Sequence, residues 1–158
     1  MNKKLVVYFS VSDVTAKVAK ELAAVEQAEL IEIIPAAAYT KEDLDYTNKL
    51  SRSSEEMADP DCRPEIKTTV ECMAQYDTVY VGFPIWWGRE PSVVDTFLTS
   101  CDFKGKRIIP FCTSGGSGIG KTAERIRTLV DAEACVDAGT RLGGDVSEED
   151  LKLWTAGL

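Results

Sequence analysis

Three short apolar runs, LVVYF at 5–9, TVYVGF at 78–83 and IIPFC at 108–112, constrain this chain more than any other feature. They are rich in β-branched and aromatic residues and lack the alternation of a half-exposed strand, so each reads as a strand covered on both faces, the pattern of a parallel sheet. Residues 29–34 read as another strand, but Glu29 and Glu32 interrupt it and suit it to an edge; residues 134–136 supply a short fifth. Helical periods lie between these runs. Val14, Val18, Leu22 and Val25 share one face of a first helix, and Ile119, Ala123, Ile126 and Val130 share one face of a later one. Pro91 can open a helix with Val94, Phe97 and Leu98 turned inward, and Ser147 with Asp150 approximates a capping box before Leu151, Trp154 and Leu158.

The alternation of strands and helices predicts an α/β doubly wound fold with right-handed crossovers and a five-stranded parallel sheet. Placing the strongest apolar runs inside and the charged second and short fifth strands at the edges gives the order 2-1-3-4-5. Pro110 fits this poorly, because it removes a backbone donor within an interior strand. The 158 residues are expected to form a single domain, 1–158, broken by a long loop at about 35–65. That loop has few apolar residues; 42–50 can form a turn of helix, and Tyr39 and Tyr46 are the residues able to reach a planar ligand.

Composition narrows the chemistry. Lys and Arg number 18 against 26 Asp and Glu, a net charge of −8 with no basic stripe, so nucleic acid is not an expected partner and a basic protein is a better one. There is no histidine, which removes the usual triads and the commonest nitrogen metal ligand, and no catalytic residue or metal ligand is assigned. The five cysteines have no CxxC pair and read as reduced thiols, and no apolar run reaches the about 18 residues of a membrane span. A cytoplasmic location without a membrane anchor is the expectation.

Ligands of open parallel sheets bind beyond the carboxyl ends of the strands where the chain order reverses, here between the first and third. Three segments converge there. SVSDVT offers the hydroxyls of Ser10, Ser12 and Thr15 where a helix begins, a place that favours an anion, although Ser12 or Asp13 can also simply cap the helix. PIWWGRE places Trp86 and Trp87 just after an interior strand, where they can clamp a planar ring or serve as ordinary packing, and TSGGSG follows the fourth strand.

YFSVSDVTAKVAK, GFPIWWGREPSVVDTFL and IIPFCTSGGSGIGKTAERI resemble the three flavin-binding loops of the flavodoxin-like proteins, particularly a short subfamily with YFS, PIWWG and TSGGSG segments. The resemblance runs from Lys4 to Trp154 and is weakest at 35–65. It implies a three-layer sandwich that holds FMN noncovalently, the phosphate on the first loop and the ring between the second and third. Carried onto this chain, Ser10, Ser12, Asp13, Val14 and Thr15 form the phosphate loop, with glycine usual in the family where Asp13 stands. Pro84, Ile85, Trp86, Trp87 and Gly88, with Thr113, Ser114, Gly115, Gly116 and Ser117, would hold the ring. The implied function is electron transfer or reduction of a small acceptor such as a quinone; a nonredox binding or regulatory domain that has lost FMN is the alternative, for which Asp13 is the best argument.

The segment GGSGIGKT at 115–122 also spells a Walker A motif. A P-loop normally follows the first strand and needs a later strand ending in an acid that manages magnesium, and only 36 residues follow Thr122. The match is therefore read as coincidental.

Overall fold

The computed structural model describes residues 3–70, 73–114 and 118–158. Strands β1 (Lys3–Tyr8), β2 (Glu29–Glu32), β3 (Tyr76–Pro84), β4 (Arg107–Thr113), β5 (Cys135–Val136) and β6 (Thr140–Arg141) alternate with helices α1 (Val14–Glu26), α2 (Arg52–Ala58), α3 (Ser92–Ser100), α4 (Thr122–Leu129) and α5 (Glu148–Ala156). Every strand pairing is parallel, in the order β2-β1-β3-β4-β5, with β6 also on β4. The fifth strand is thus two pieces laid along one neighbour, and the predicted order 2-1-3-4-5 is the observed one.

Alternate residues of each interior strand feed opposite layers, as the period of a strand requires. Leu5, Val7, Val79, Val81 and Ile108 pack with Val94, Phe97 and Leu98 of α3 and Ala123 and Ile126 of α4. Val6, Tyr80, Ile109 and Phe111 pack with Val18, Ala19 and Leu22 of α1 and Leu151 of α5. Gly82 belongs to this second face, where a Cβ would lie 2.2 Å from the Phe111 ring, so only glycine lets the ring cross the sheet there. Among the described residues no helix is long and apolar enough to cross a membrane.

The break in the fifth strand accounts for Pro110. The carbonyls of Lys106, Ile108 and Cys112 accept from Cys135, Asp137 and Leu142, so the even-numbered residues of β4 turn their backbone groups toward β5 and β6. Pro110 falls on that edge, opposite the gap between the two pieces. Gly139 fills the gap at φ +77, against the Pro110 carbonyl and ring. The missing donor faces a bend rather than a ladder partner.

Several boundaries differ from the periodic reading. α4 begins at Thr122, so Ile119 precedes the helix, and Val130 is its C-cap. Val14 is exposed and Thr15 points inward instead. Residues 42–50 form turns, and the helix of the long loop is α2, capped by Ser51 accepting from the Ser54 N–H. The capping box of Ser147 and Asp150 is present, whereas Leu158 lies beyond the helix and is exposed.

Candidate functional site

The carboxyl ends of β1, β3 and β4 lie side by side, and Thr113 joins their loops. Its carbonyl accepts from the Ile85 N–H at 3.2 Å, and its hydroxyl meets that of Thr15, buried at the start of α1, at 2.6 Å. One hydroxyl of this pair donates to the other, which leaves the second hydrogen for another acceptor.

The first loop ends in Asp13, whose φ of 66 is left-handed. Its side chain makes no cap hydrogen bond, and no acidic residue stands in the first turn of α1, so among the described residues no side chain caps the leading N–H groups of this helix. The Ser10 hydroxyl, earlier in the same loop, is buried with no partner among the described residues. An uncapped helix start, an orphaned hydroxyl and a spare hydroxyl hydrogen form a donor set that fits a phosphate. Against it stands the exposed Asp13 carboxylate.

In the second loop, Trp86 and Arg89 exchange backbone hydrogen bonds of 2.9 and 3.1 Å around Trp87 at φ 49 and Gly88 at φ 77. Two successive positive φ values define a type I′ turn, in which a residue as bulky as tryptophan is an outlier. Trp87 is consequently lifted off the core and 52% exposed. Trp86 packs edge-on to Phe9 and Tyr39, with ring centroids 5.6 and 5.4 Å away. Of the two tryptophans, one is anchored and one is presented. The third loop is tied by Arg141, whose guanidinium donates to the Ser114 carbonyl at 2.7 Å and hydroxyl at 3.1 Å.

A crevice of about 380 Å³ opens beside these loops. Val11, Ile85, Trp86 and Trp87 line it from the strand ends, and Leu44, Tyr46 and Ser53 from the long loop. Of the two tyrosines expected to reach a planar ligand, Tyr46 borders this space and Tyr39 does not. The Tyr39 ring lies under the Arg52 guanidinium at 3.8 Å, and its hydroxyl donates to Glu56 at 2.5 Å. Burial and then that bond hold the Tyr39 hydroxyl well above the ordinary range, so it cannot exchange a proton near neutral pH. Burial likewise pushes the Cys112 thiol up to about 11, away from the thiolate needed for nucleophilic work.

The long loop is fastened by a buried charge cluster below the second loop. Glu90 and Asp95 are fully buried. Arg125 donates to Glu90 at 2.5 Å, to Asp95 at 2.6 Å and to the Pro60 carbonyl at 2.7 Å. Arg89, which closes the Trp86 turn, reaches Asp95 at 3.4 Å and the Met57 carbonyl at 3.3 Å, and Arg63 lies 3.8 Å from Asp95. Ser92 and Thr96 donate to the carbonyls of Glu56 and Pro64. Glu90 Oε2 and Asp95 Oδ1 have no donor among the described residues, a shortage that a proton on Glu90 can meet. Burial first, then the neighbouring Asp95, push the Glu90 carboxyl up to about 8 despite Arg125.

Of the residues read from the sequence, Ser10, Thr15, Pro84, Ile85, Trp86, Trp87, Gly88, Thr113 and Ser114 meet at this end of the sheet, with Ser12, Asp13 and Val14 on the exposed first turn. Gly115, Gly116 and Ser117 lie outside the described residues. Lys121, the lysine of the Walker spelling, is the exposed N-cap of α4. Sequence reasoning did not single out Val11, Leu44, Ser53, Arg141 or the charge cluster. Arg141 ends a two-residue strand with no local signal, but Arg89, Glu90 and Asp95, adjoining the tryptophans within one helical entrance, were a detectable concentration of charge.

The sequence matches the family described as Flavodoxin over residues 3–158. No curated protein matches it. Among solved structures, a flavoprotein candidate from Bacteroides eggerthii superposes with a TM-score of 0.93 at 40% identity, covering 99% of this chain and 98% of its own. Another from Bacteroides uniformis does so at 0.89 and 40%, covering 98% of each. A flavoprotein from Lactobacillus acidophilus, solved in complex with FMN, shares the fold at a TM-score of 0.71 and 21% identity, covering 98% of this chain and 99% of its own.

Proposed function

This chain belongs to the flavodoxin family, and from that premise we propose that it binds FMN beyond β1, β3 and β4 and acts as a redox protein, passing electrons or reducing a small acceptor such as a quinone. The observation that carries the reading is the pairing of unmet donors at one end, Ser10 and the uncapped first turn of α1, with an aromatic crevice at the other. The Lactobacillus protein's complex with FMN supports it at the level of the fold. When bound, FMN supplies the electron chemistry. The chain's part is binding and orientation. Ser10, Ser12, Val14 and Thr15 would hold the phosphate by hydroxyl and backbone groups; Pro84 to Gly88 and Thr113 to Ser117 would hold the ring. The acidic surface would disfavour added negative charge on the ring and suit a basic redox partner.

One observation favours a second reading, a nonredox domain that keeps the fold without FMN. Asp13 occupies the left-handed position that glycine adopts freely, and its carboxylate would repel a phosphate at that turn. Calorimetric titration with FMN separates the two: one equivalent bound with a flavin spectral shift supports the redox reading, and no heat at millimolar FMN supports the other. If FMN binds, Trp87→Ala should weaken it more than Lys121→Ala, since Trp87 borders the crevice and Lys121 is an exposed cap residue. The opposite order in a fluorescence titration would return a phosphate role to 115–122.

A further inference from the structure

The outer wall of the crevice comes from a stretch of chain dense in charge. Residues 41–56 include Lys41, Glu42, Asp43, Asp45, Lys49, Arg52, Glu55 and Glu56, yet what they turn toward the crevice is Leu44, Tyr46 and Ser53. Four of the charged groups have other partners: Arg52 pairs with Glu56 at 3.0 Å, Asp43 accepts from the Thr40 N–H, and Asp45 accepts from Thr47. Among the described residues no charged side chain lines the crevice. Tyr46 is 77% exposed, a large aromatic ring at the mouth that folding alone does not bury.

Ser53 is the second unusual element. It is 2% exposed, and its hydroxyl is buried with no partner among the described residues, whereas the neighbouring hydroxyls of Ser51 and Ser54 bond each other at 2.8 Å. A buried hydroxyl is normally hydrogen-bonded, and one that borders a crevice is satisfied when an occupant brings an acceptor. Presenting it to an occupant requires a change of side-chain torsion.

We infer that the outer half of the crevice is a binding subsite for a neutral, planar aromatic carbonyl compound, with Tyr46 stacking on its ring and the Ser53 hydroxyl donating to its carbonyl oxygen. The inference rests on the reading of the second and third loops as the FMN site, and it names the acceptor class that site would serve. Charge selectivity follows from the lining. An anionic acceptor would enter a protein of net charge −8 with no cation among the described lining residues to receive it, so its desolvation would go uncompensated.

The test is equilibrium dialysis with two rings of like shape, neutral 2-(hydroxymethyl)anthraquinone and anthraquinone-2-sulfonate, neither of which reacts with thiols. It is run on the chain with and without FMN, and the FMN dissociation constant is measured for each variant. The neutral ring should bind at least about tenfold more tightly than the sulfonate; loss of one hydrogen bond in Ser53→Ala should weaken it about tenfold, and Tyr46→Ala by a similar factor. Both variants should change FMN affinity less than about twofold. Because Tyr46 is exposed, its variant keeps the test independent of folding. Equal affinity for the two rings, or unchanged affinity in both variants, overturns the inference. Parallel loss of FMN affinity overturns it too, by making these residues contacts of the cofactor. Failure of the wild-type chain to bind FMN defeats the earlier reading instead, and the FMN-free dialysis then decides the subsite by the same criteria.

Discussion

On one wall of the crevice Val11, Ile85 and Trp86 stand at the ends of β1 and β3, above Phe9, Val81 and Phe83 in the buried layer; on the other, Leu44, Tyr46 and Ser53 belong to a loop fastened by guanidinium groups. The first wall is held by apolar contact, which is insensitive to pH and tolerates volume-conserving exchanges of side chain. The second is held by few, directional, buried charge contacts, each of which leaves a stranded group when its partner is removed. The comparison teaches that the two walls can be loosened separately and by different agents.

The largest expected effect is on the second wall. Arg125→Met leaves Glu90 and Asp95 buried without their shortest partner and frees the Pro60 carbonyl, and should cost about 3–5 kcal/mol in urea unfolding. A loss below about 1 kcal/mol would mean that Arg89 and Arg63 alone hold the wall. In the sheet that carries the first wall, though on its opposite face, Gly82→Ala drives a methyl into the Phe111 ring and should cost about 1–3 kcal/mol through overpacking. Hydrogen exchange then sharpens the contrast: Arg125→Met should speed exchange at 52–64 selectively, and Gly82→Ala across β3 and β4. Matching patterns would show that the walls open together.

A smaller effect tests the charge of the cluster. Glu90 keeps its proton to about 8 in the folded chain against 4.5 as the ordinary value, so between these the folded state binds more protons than the unfolded one. Stability from this source is complete below the lower value and is lost as pH rises through the upper. Urea midpoints should fall from pH 5.5 to 8.0 in the wild type and fall less in Glu90→Gln, whose amide can donate to Asp95 without titrating. The chain has no histidine, which removes the usual competing titration in that window. A midpoint that rises with pH would reverse the assignment of the proton.

The smallest expected change is at the first loop. Asp13→Gly removes a side chain from a left-handed position and should stabilise the fold by up to about 1 kcal/mol while tightening FMN. Unchanged stability would place no strain at φ 66, and unchanged FMN affinity would turn the carboxylate away from the phosphate.

These two walls were unequally legible in the sequence. LVVYF, TVYVGF and IIPFC announce doubly covered strands because burial on both faces demands unbroken apolar residues, and their order fixed where the loops carrying Ser10, Trp86 and Thr113 had to meet. The long loop hid its contribution because its contacts are made by backbone carbonyls, which every residue possesses. Nothing in the letters at 56, 57 and 60 marks them as acceptors for Arg89, Arg125 and Ser92. Ser53 was concealed for a related reason: in SRSS only the fold decides which hydroxyl is left over. Pro110 looked like a contradiction because the fifth strand was read as one unbroken segment; the residue that resolves it, Gly139, lies 29 positions later and acts through space.

The bend that receives Pro110 also governs how this sheet meets other chains. An exposed strand edge is a template on which a second polypeptide can hydrogen-bond, the route to fibrils and exchanged domains. At one margin that template is cut into two pieces of two residues, Cys135–Val136 and Thr140–Arg141, turned by Gly139. At the other, Glu29 and Glu32 put charge on the edge strand, and the returning chain seals its end: Thr68 bonds both the Glu32 carbonyl and the Ile34 N–H, while the Lys67 N–H takes the Ile34 carbonyl. Neither margin offers a long ladder to extend, so an associating protein must grip this molecule by its side chains.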